Sequence, residues 1–365
     1  MCHLAVIAIG SLAAAPPPPT VVSISGTTWH INGKPTHAGS EAEGLLPNAR
    51  MIQGIFDDAN ASTRHIWAYP DTKRWDPDRN TREFVGNMSS WKEAGMLAFT
   101  VGLQGGGPDC YGTPDGTTAS AYDAKTGALD PKWAARLLLI LQEADRLGMV
   151  AIVQYFYNTQ YVKMSAAAQS GAVTQITQWL LHTGLRNFVI DAFNERCGSA
   201  GEDAARLRAI RAMAPHFLLS SSCPGGDRLP DPDVLAASDF VLLHGNGDSP
   251  LGIAKKLETV RSMTGWSSKP RPIVFNEDDH GNLTSTSATG SNLQVALDNR
   301  ASWGFLCCCT RKVQGDYSTG FQCPPVDWRI NGGGQCLSGP QGKLMTHGSK
   351  SDWGETLRRI SKPKL

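Results

Sequence analysis

The sequence predicts an α/β fold, a (β/α)8 barrel preceded by a short β-hairpin. Short apolar runs rich in β-branched or aromatic residues alternate with helix-favouring segments, and eight such runs can be counted. Polar and acidic residues recur just past many of these runs, where a barrel builds its working face. The first junction, Asp57-Asp58-Ala59-Asn60, lacks the glycine-rich phosphate turn that an open doubly wound sheet places there. The chain has 365 residues, and barrels of about 250 residues or more stay single domains.

Taken in chain order, residues 1–15 read as a signal peptide, because the apolar stretch Leu4 to Ala15 ends in three alanines and is too short to span a bilayer. Residues 16–20 form a Pro-rich linker, and residues 21–365 form the single barrel domain. A secreted protein is the expectation, and the sequons at Asn60, Asn87 and Asn282 are compatible with a glycoprotein. Val21–Ile24 and Thr28–Ile31 flank Ser25-Gly26-Thr27 and make the hairpin. The eight barrel strands are expected at Met51–Phe56, Leu97–Leu103, Val150–Phe156, Phe188–Phe193, Phe217–Ser221, Phe240–Leu243, Pro272–Phe275 and Ser302–Cys307. Helices are expected at Asn80–Ala94, Pro131–Leu147, Ala166–His182, Glu202–Met213, Pro232–Ala236, Leu251–Met263, Asn292–Arg300 and Ser351–Ile360. The second of these has the clearest bounds, with Asp130 as N-cap, Pro131 in the first turn and Gly148 at the end.

Composition narrows the function. Lys and Arg total 34 against 33 Asp and Glu, a formal charge of +1 that supplies no field for a polyanion, so nucleic acid is excluded as a partner. No later segment reads as a membrane span. Nine cysteines are present without the CxxC spacing of a zinc site, so a structural metal is disfavoured and no cofactor is implied. In a secreted chain Cys197 could pair with Cys223 and Cys323 with Cys336, although spacing alone does not fix connectivity. Ten tryptophans suit sugar faces as well as ordinary core packing.

Two strands close on the same dipeptide, Phe193-Asn194-Glu195 and Phe275-Asn276-Glu277. Counted as the fourth and seventh strands, they stand nearly opposite each other, and their carboxylates can converge over the barrel mouth. Hydrolysis of a glycosidic bond needs such a pair, one group to protonate the departing oxygen and one to attack the anomeric carbon or activate water. An Asn-Glu ending the fourth strand and a Glu ending the seventh resemble clan A of the glycoside hydrolases, the retaining barrels that include cellulases, mannanases and β-galactosidases. The resemblance implies Glu195 as acid/base, Asn194 as partner of a substrate 2-hydroxyl and Glu277 as nucleophile. It also implies an oligo- or polysaccharide substrate.

Further substrate contacts are expected from His244 after the sixth strand, Tyr155 and Tyr157 at the third, Gln104 at the second, Asp58 after the first and Trp328 in the long segment before the last helix. Each also has a plain structural reading, as do Asp57 and Arg64 as an ion pair and Tyr317 and Phe321 as loop packing. The chain departs from the clan in offering Gln104 where many members carry an Arg near strand two, and in placing Trp303 early in strand eight. Two other readings stay open: a metal-dependent barrel hydrolase or isomerase using His244 and the Glu277-Asp278-Asp279-His280 run, and a non-catalytic carbohydrate-binding barrel.

Overall fold

The computed structural model describes residues 18–105, 118–197, 201–279, 283, 290–307, 317–318, 320–332 and 348–364. The signal-peptide region, Asn282, His280 and Cys336 lie outside the described residues.

The chain opens with β1 (Val22–Ser25), β2 (Thr28–Ile31) and β3 (Lys34–Pro35), an antiparallel sheet with one strand more than the expected hairpin. Strands and helices then follow in turn, with a short extra helix after β6: β4 (Asn48–Arg50), α1 (Pro77–Ala94), β5 (Ala98–Gly102), α2 (Pro131–Leu147), β6 (Val150–Gln154), α3 (Asn158–Tyr161), α4 (Ala166–Thr183), β7 (Phe188–Asp191) and α5 (Glu202–Met213). After these come β8 (Leu219–Ser220), β9 (Ser222–Cys223), α6 (Pro232–Ala237), β10 (Val241–His244), α7 (Pro250–Ser262), β11 (Ile273–Glu277), α8 (Asn292–Asp298), β12 (Gly304–Phe305) and α9 (Lys350–Ile360).

One parallel sheet runs β12-β4-β5-β6-β7-β8 and another β11-β10-β9. Only Ser221 separates β8 from β9, and parallel bridges Val274↔Ser302 and Asp278↔Phe305 tie β11 to the β12 region. The C-termini of the parallel strands β4 to β12 therefore point one way, toward the face that carries Glu277 and His244.

The helices begin and end where capping chemistry dictates. Asp130 accepts from the amides of Lys132 and Trp133, Pro131 opens α2, and Gly148 closes it with φ +67. Helix α1 starts three residues before the expected position because Asp76 caps it through Arg79 N and Pro77 occupies its first turn.

Three strands depart from expectation. The apolar run Met51–Phe56 is not the first strand: Asn48–Arg50 pairs with β5 and β12, and Ile52–Ile55 forms a 3-10 turn. That turn packs outward, and a Cβ on Gly54 would lie 2.8 Å from the Phe84 ring, so the run fills the layer between sheet and helices. The fifth strand is displaced toward Cys223, and the eighth shortens to Gly304–Phe305.

Ala98, Val150, Ile152, Val189, Leu242 and Val274 form one apolar cluster on the inner side of the sheets. Trp29 of the small N-terminal sheet belongs to it, with its ring edge-on to Phe240 at 5.2 Å. Since Phe240 precedes β10, the N-terminal sheet seals the end opposite the catalytic candidates. Replacing Trp29 with Ala should cost about 3–5 kcal/mol, read as a lowered urea midpoint, whereas Leu251→Ala, at a position 79% exposed, should leave the midpoint nearly unchanged.

A candidate active site at the strand ends

Glu277 is the last residue of β11 and is buried, which is costly for a charge. Its neighbours compensate. Arg50 Nε, from the end of β4, lies 2.5 Å from Oε2, close enough for an ion pair although not aligned as a hydrogen bond. His244 Nδ1, from the end of β10, lies 2.6 Å from Oε1, and Asn246 donates its Nδ2 to the same oxygen at 2.7 Å. Burial pushes the Glu277 carboxyl up, but Arg50 and His244 outweigh it and hold the group well below the ordinary carboxylate range. Burial lowers the Arg50 pKa, but Glu277, with Tyr157, Glu195 and Asp191 behind it, raises it on balance.

A local irregularity brings His244 to this point. Along β10 and β11 the register runs Leu243↔Phe275 and then His244↔Glu277, skipping Asn276. The chain then passes Asp278 so closely that a Cβ on Gly245 would meet its carboxylate at 2.4 Å, so only glycine fits. Lys256 of α7 donates to the His244 carbonyl at 2.8 Å and to Asp248 at 2.6 Å, anchoring the strand end from behind.

Glu195 meets the same ring nitrogen, with Oε1 3.0 Å from His244 Nδ1, so that one N–H is shared between the two carboxylates. One oxygen from each glutamate and one ring nitrogen of His244 lie within 4.8 Å of one another. Glu195 is 39% exposed, unlike Glu277, and is open to a substrate. Burial lowers the His244 pKa, but the two carboxylates raise it on balance to about 9, so the ring is a cation at neutral pH. That bears on metal binding. A ligating imidazole must offer a lone pair, yet Nδ1 here faces two carboxylates as a donor, and Arg50 and His244 already balance Glu277 and Glu195. The donor set fits an ion-paired cluster better than a metal centre.

Of the other sequence candidates, Asn194 lies beside Glu195, buried, with Oδ1 unpartnered. Tyr157 contributes to the electrostatic environment of Arg50, and its amide donates to Gln104 Oε1 at 3.0 Å. Tyr155 is not in the site: it follows Gln154 with opposite facing, and its hydroxyl meets Thr177 of α4 at 3.2 Å in the helix-side core. Gln104 is buried and engaged by Ser120, Met164 and the Tyr157 amide, so it braces two loops. Asp58 accepts from Asn60 N, Thr63, Trp67 Nε1 and Thr118 N, an internal staple with no capacity directed at a substrate. Trp328 is buried against Phe84 and Phe321 and donates to Asn80, far from a cleft-wall role. Trp303 donates to Asp278 at 2.8 Å, Phe321 is core, and Asp57 pairs with Arg64 at 3.0 Å. Tyr317 receives a hydrogen bond from Arg79 at 3.0 Å.

Arg50, Asn246 and Asp191 escaped the sequence reading. Arg50 and Asp191 had a signal in retrospect, each a charge inside a segment buried by its neighbours. The Cys197–Cys223 disulfide is present, and Cys307 and Cys323 are also disulfide-bonded.

No protein-family model matches the sequence, and no curated protein does. Solved structures do resemble it in fold. A glycoside hydrolase family 5 mannosidase from Rhizomucor miehei superposes with a TM-score of 0.51 at 13% identity, covering 94% of this chain and 98% of that one. A β-1,4-D-mannanase from Cryptopygus antarcticus gives 0.52 at 11% identity over 94% of each chain. At such identities the likeness is one of fold.

The charge pairing has a pH signature. Because the folded His244 pKa lies above its ordinary 6.5, its contribution to stability is complete below about pH 6.5 and is lost as pH rises through about 9. The urea midpoint of the wild type should therefore fall between pH 7 and 9, and His244→Asn should remove that slope. A slope that persists in the variant would assign it to another group.

Proposed function

We propose that this chain is a retaining glycoside hydrolase acting on an oligo- or polysaccharide, with its parallel strands closed into a (β/α)8 barrel. Glu277 is the nucleophile and Glu195 the acid/base. The observation that carries the reading is the spacing of the two carboxylates, whose nearest ligand-type oxygens lie within 4.8 Å. Retaining enzymes hold the pair about 5–5.5 Å apart, and inverting enzymes need about 6.5–9.5 Å to admit a water between. Closure of the barrel is supported by the Val274↔Ser302 and Asp278↔Phe305 bridges and by the Leu219–Cys223 stretch shared between the two parallel sheets.

The chemistry follows from the charges. Glu277, kept ionised by Arg50 and His244, attacks the anomeric carbon while the more exposed Glu195, reacting in the protonated form it takes up before the bond is cleaved, gives that proton to the departing oxygen and becomes a carboxylate. When the ester forms, the Glu277 charge disappears and His244 is left to bond Glu195 alone. Glu195 then takes a proton from the incoming water, and attack of that water on the anomeric carbon releases Glu277. Asn194, with a buried and unpartnered Oδ1, is suited to a substrate hydroxyl.

The named activities of the structurally similar proteins make β-mannosides the first substrates to try. The Cys197–Cys223 disulfide suits an oxidising compartment and supports secretion. A metal-dependent reaction is disfavoured by the protonated His244, and a chelator should leave turnover intact.

Glu277→Gln should lower turnover on a responsive glycoside by at least about 10³-fold with sugar binding retained, and the first product anomer from wild type, read by NMR, should keep the substrate configuration. Inverted product, or full activity in the variant, would remove the assignment. Sugar binding without turnover in wild type would favour a binding protein.

A further inference from the structure

Glu195 has φ +60, a left-handed conformation that a glutamate adopts only when its surroundings hold it there. The restraint is visible one strand away. The Glu195 amide donates to Ser222 Oγ at 3.2 Å, and the Arg196 amide donates to the Ser222 carbonyl at 3.1 Å. Ser222 is in turn bound by Asp191, which accepts from its amide at 2.9 Å and from its hydroxyl at 3.0 Å. The carbonyl of Phe193 lies farther from the hydroxyl, at 3.3 Å, and is the weaker acceptor. A hydroxyl that gives its proton to Asp191 presents a lone pair to the Glu195 amide, so the carboxylate sets the direction of the chain. The Cys197–Cys223 disulfide joins the same two segments.

We propose that Asp191 and Ser222 are positioning residues for proton transfer by Glu195: the Asp191 carboxylate orients the Ser222 hydroxyl, which pins the left-handed turn that aims the Glu195 side chain at His244 and at the bond to be cleaved. The catalytic half of this statement rests on the glycoside hydrolase reading; the geometric half does not. Asp191 is wholly buried at the end of β7, and burial pushes its carboxyl up to about 7 against the opposing pull of His244, the Ser222 hydrogen bonds and Arg50, so the ionised form that accepts from the Ser222 hydroxyl prevails above about pH 7. Ser222→Ala removes the acceptor for the Glu195 amide. Asp191→Asn replaces the acceptor with an amide that can turn a donor toward Oγ and compete with Glu195. Ser222→Thr keeps the hydroxyl.

The test follows the His244 ring by NMR titration, which needs no turnover. Glu195→Gln sets the scale, since it removes one of the two carboxylates that hold the ring protonated. Ser222→Ala, which leaves the Asp191 charge in place, should lower the His244 pKa at least half as far as Glu195→Gln does, and Ser222→Thr should restore it; an unshifted titration in folded Ser222→Ala would overturn the proposal, because Asp191→Asn also removes a charge that acts on the ring directly. Should Ser222→Ala fail to fold, amide exchange in the wild type decides: Glu195 N–H should exchange at least tenfold more slowly than an unprotected amide, and free exchange would sink the claim. If glycosides are cleaved, Ser222→Ala should lose about 10-fold or more in kcat/KM on poor leaving groups and less than about 2-fold on leaving groups that depart without a proton. Equal losses on both would contradict a role in protonation. If wild type cleaves no glycoside, the functional reading fails while the titration still judges the positioning.

Discussion

The structure turns on keeping the Glu277 carboxylate charged while it is shut away from water. An isolated buried carboxylate takes up a proton, and a protonated Glu277 could neither attack an electrophile nor bind the cations around it. Arg50 and His244 prevent that, and each arrives from a different strand end: Arg50 from β4, His244 from β10 and Glu277 from β11. The cluster therefore depends on strand order and register across the whole parallel assembly. A slip of one residue would turn the charged side chain to the helix face, and the irregularity between Leu243 and His244 shows how closely register is adjusted to the charge pairing.

The scaffold divides its tasks accordingly. Below the cluster, aliphatic side chains fill the inner face and Trp29 closes the far end, so the charged layer rests on a packed floor. Around it, side chains that could have bound a ligand brace loops instead: Asp58 gathers four donors and Gln104 ties its loop to Ser120 and Tyr157. Lys256 and the Cys197–Cys223 bond fix the backbone on both sides of the site. Little of this machinery touches the space above the carboxylates, which leaves the exposed Glu195, with Asn194 buried beside it, as the group best placed to meet a ligand, while His244 stays wholly buried behind it.

Much of this was legible in the sequence for identifiable reasons. Helix α2 has its expected bounds because Asp130, Pro131 and Gly148 mark both ends, and Glu195, Glu277 and His244, each expected at the close of an apolar run, do come together at the strand ends. What the sequence hid was direction. Gln154 and Tyr155 are adjacent at the end of β6, yet one approaches Arg50 at 3.4 Å and the other reaches Thr177 among the helices. Arg50 was missed because Asn48-Ala49-Arg50 is polar in composition and becomes a strand only through pairing with β5 and β12, while the apolar run after it looked the better strand. Trp328 was misplaced for a related reason: an aromatic in a long segment gives no hint that Phe84 and Trp91 of α1 wait beneath it.

The central claim, that Glu277 is an ionised nucleophile aimed at an anomeric carbon, is tested most directly by trapping. A 2-deoxy-2-fluoro glycoside with a good leaving group, of whichever sugar the wild type accepts, should accumulate as a covalent adduct, because the fluorine slows the second step more than the leaving group permits the first to be slowed. Mass spectrometry of the digested protein should then find one sugar per chain, attached to Glu277. A label on Glu195 or another residue, or inactivation without any covalent sugar, would contradict the account.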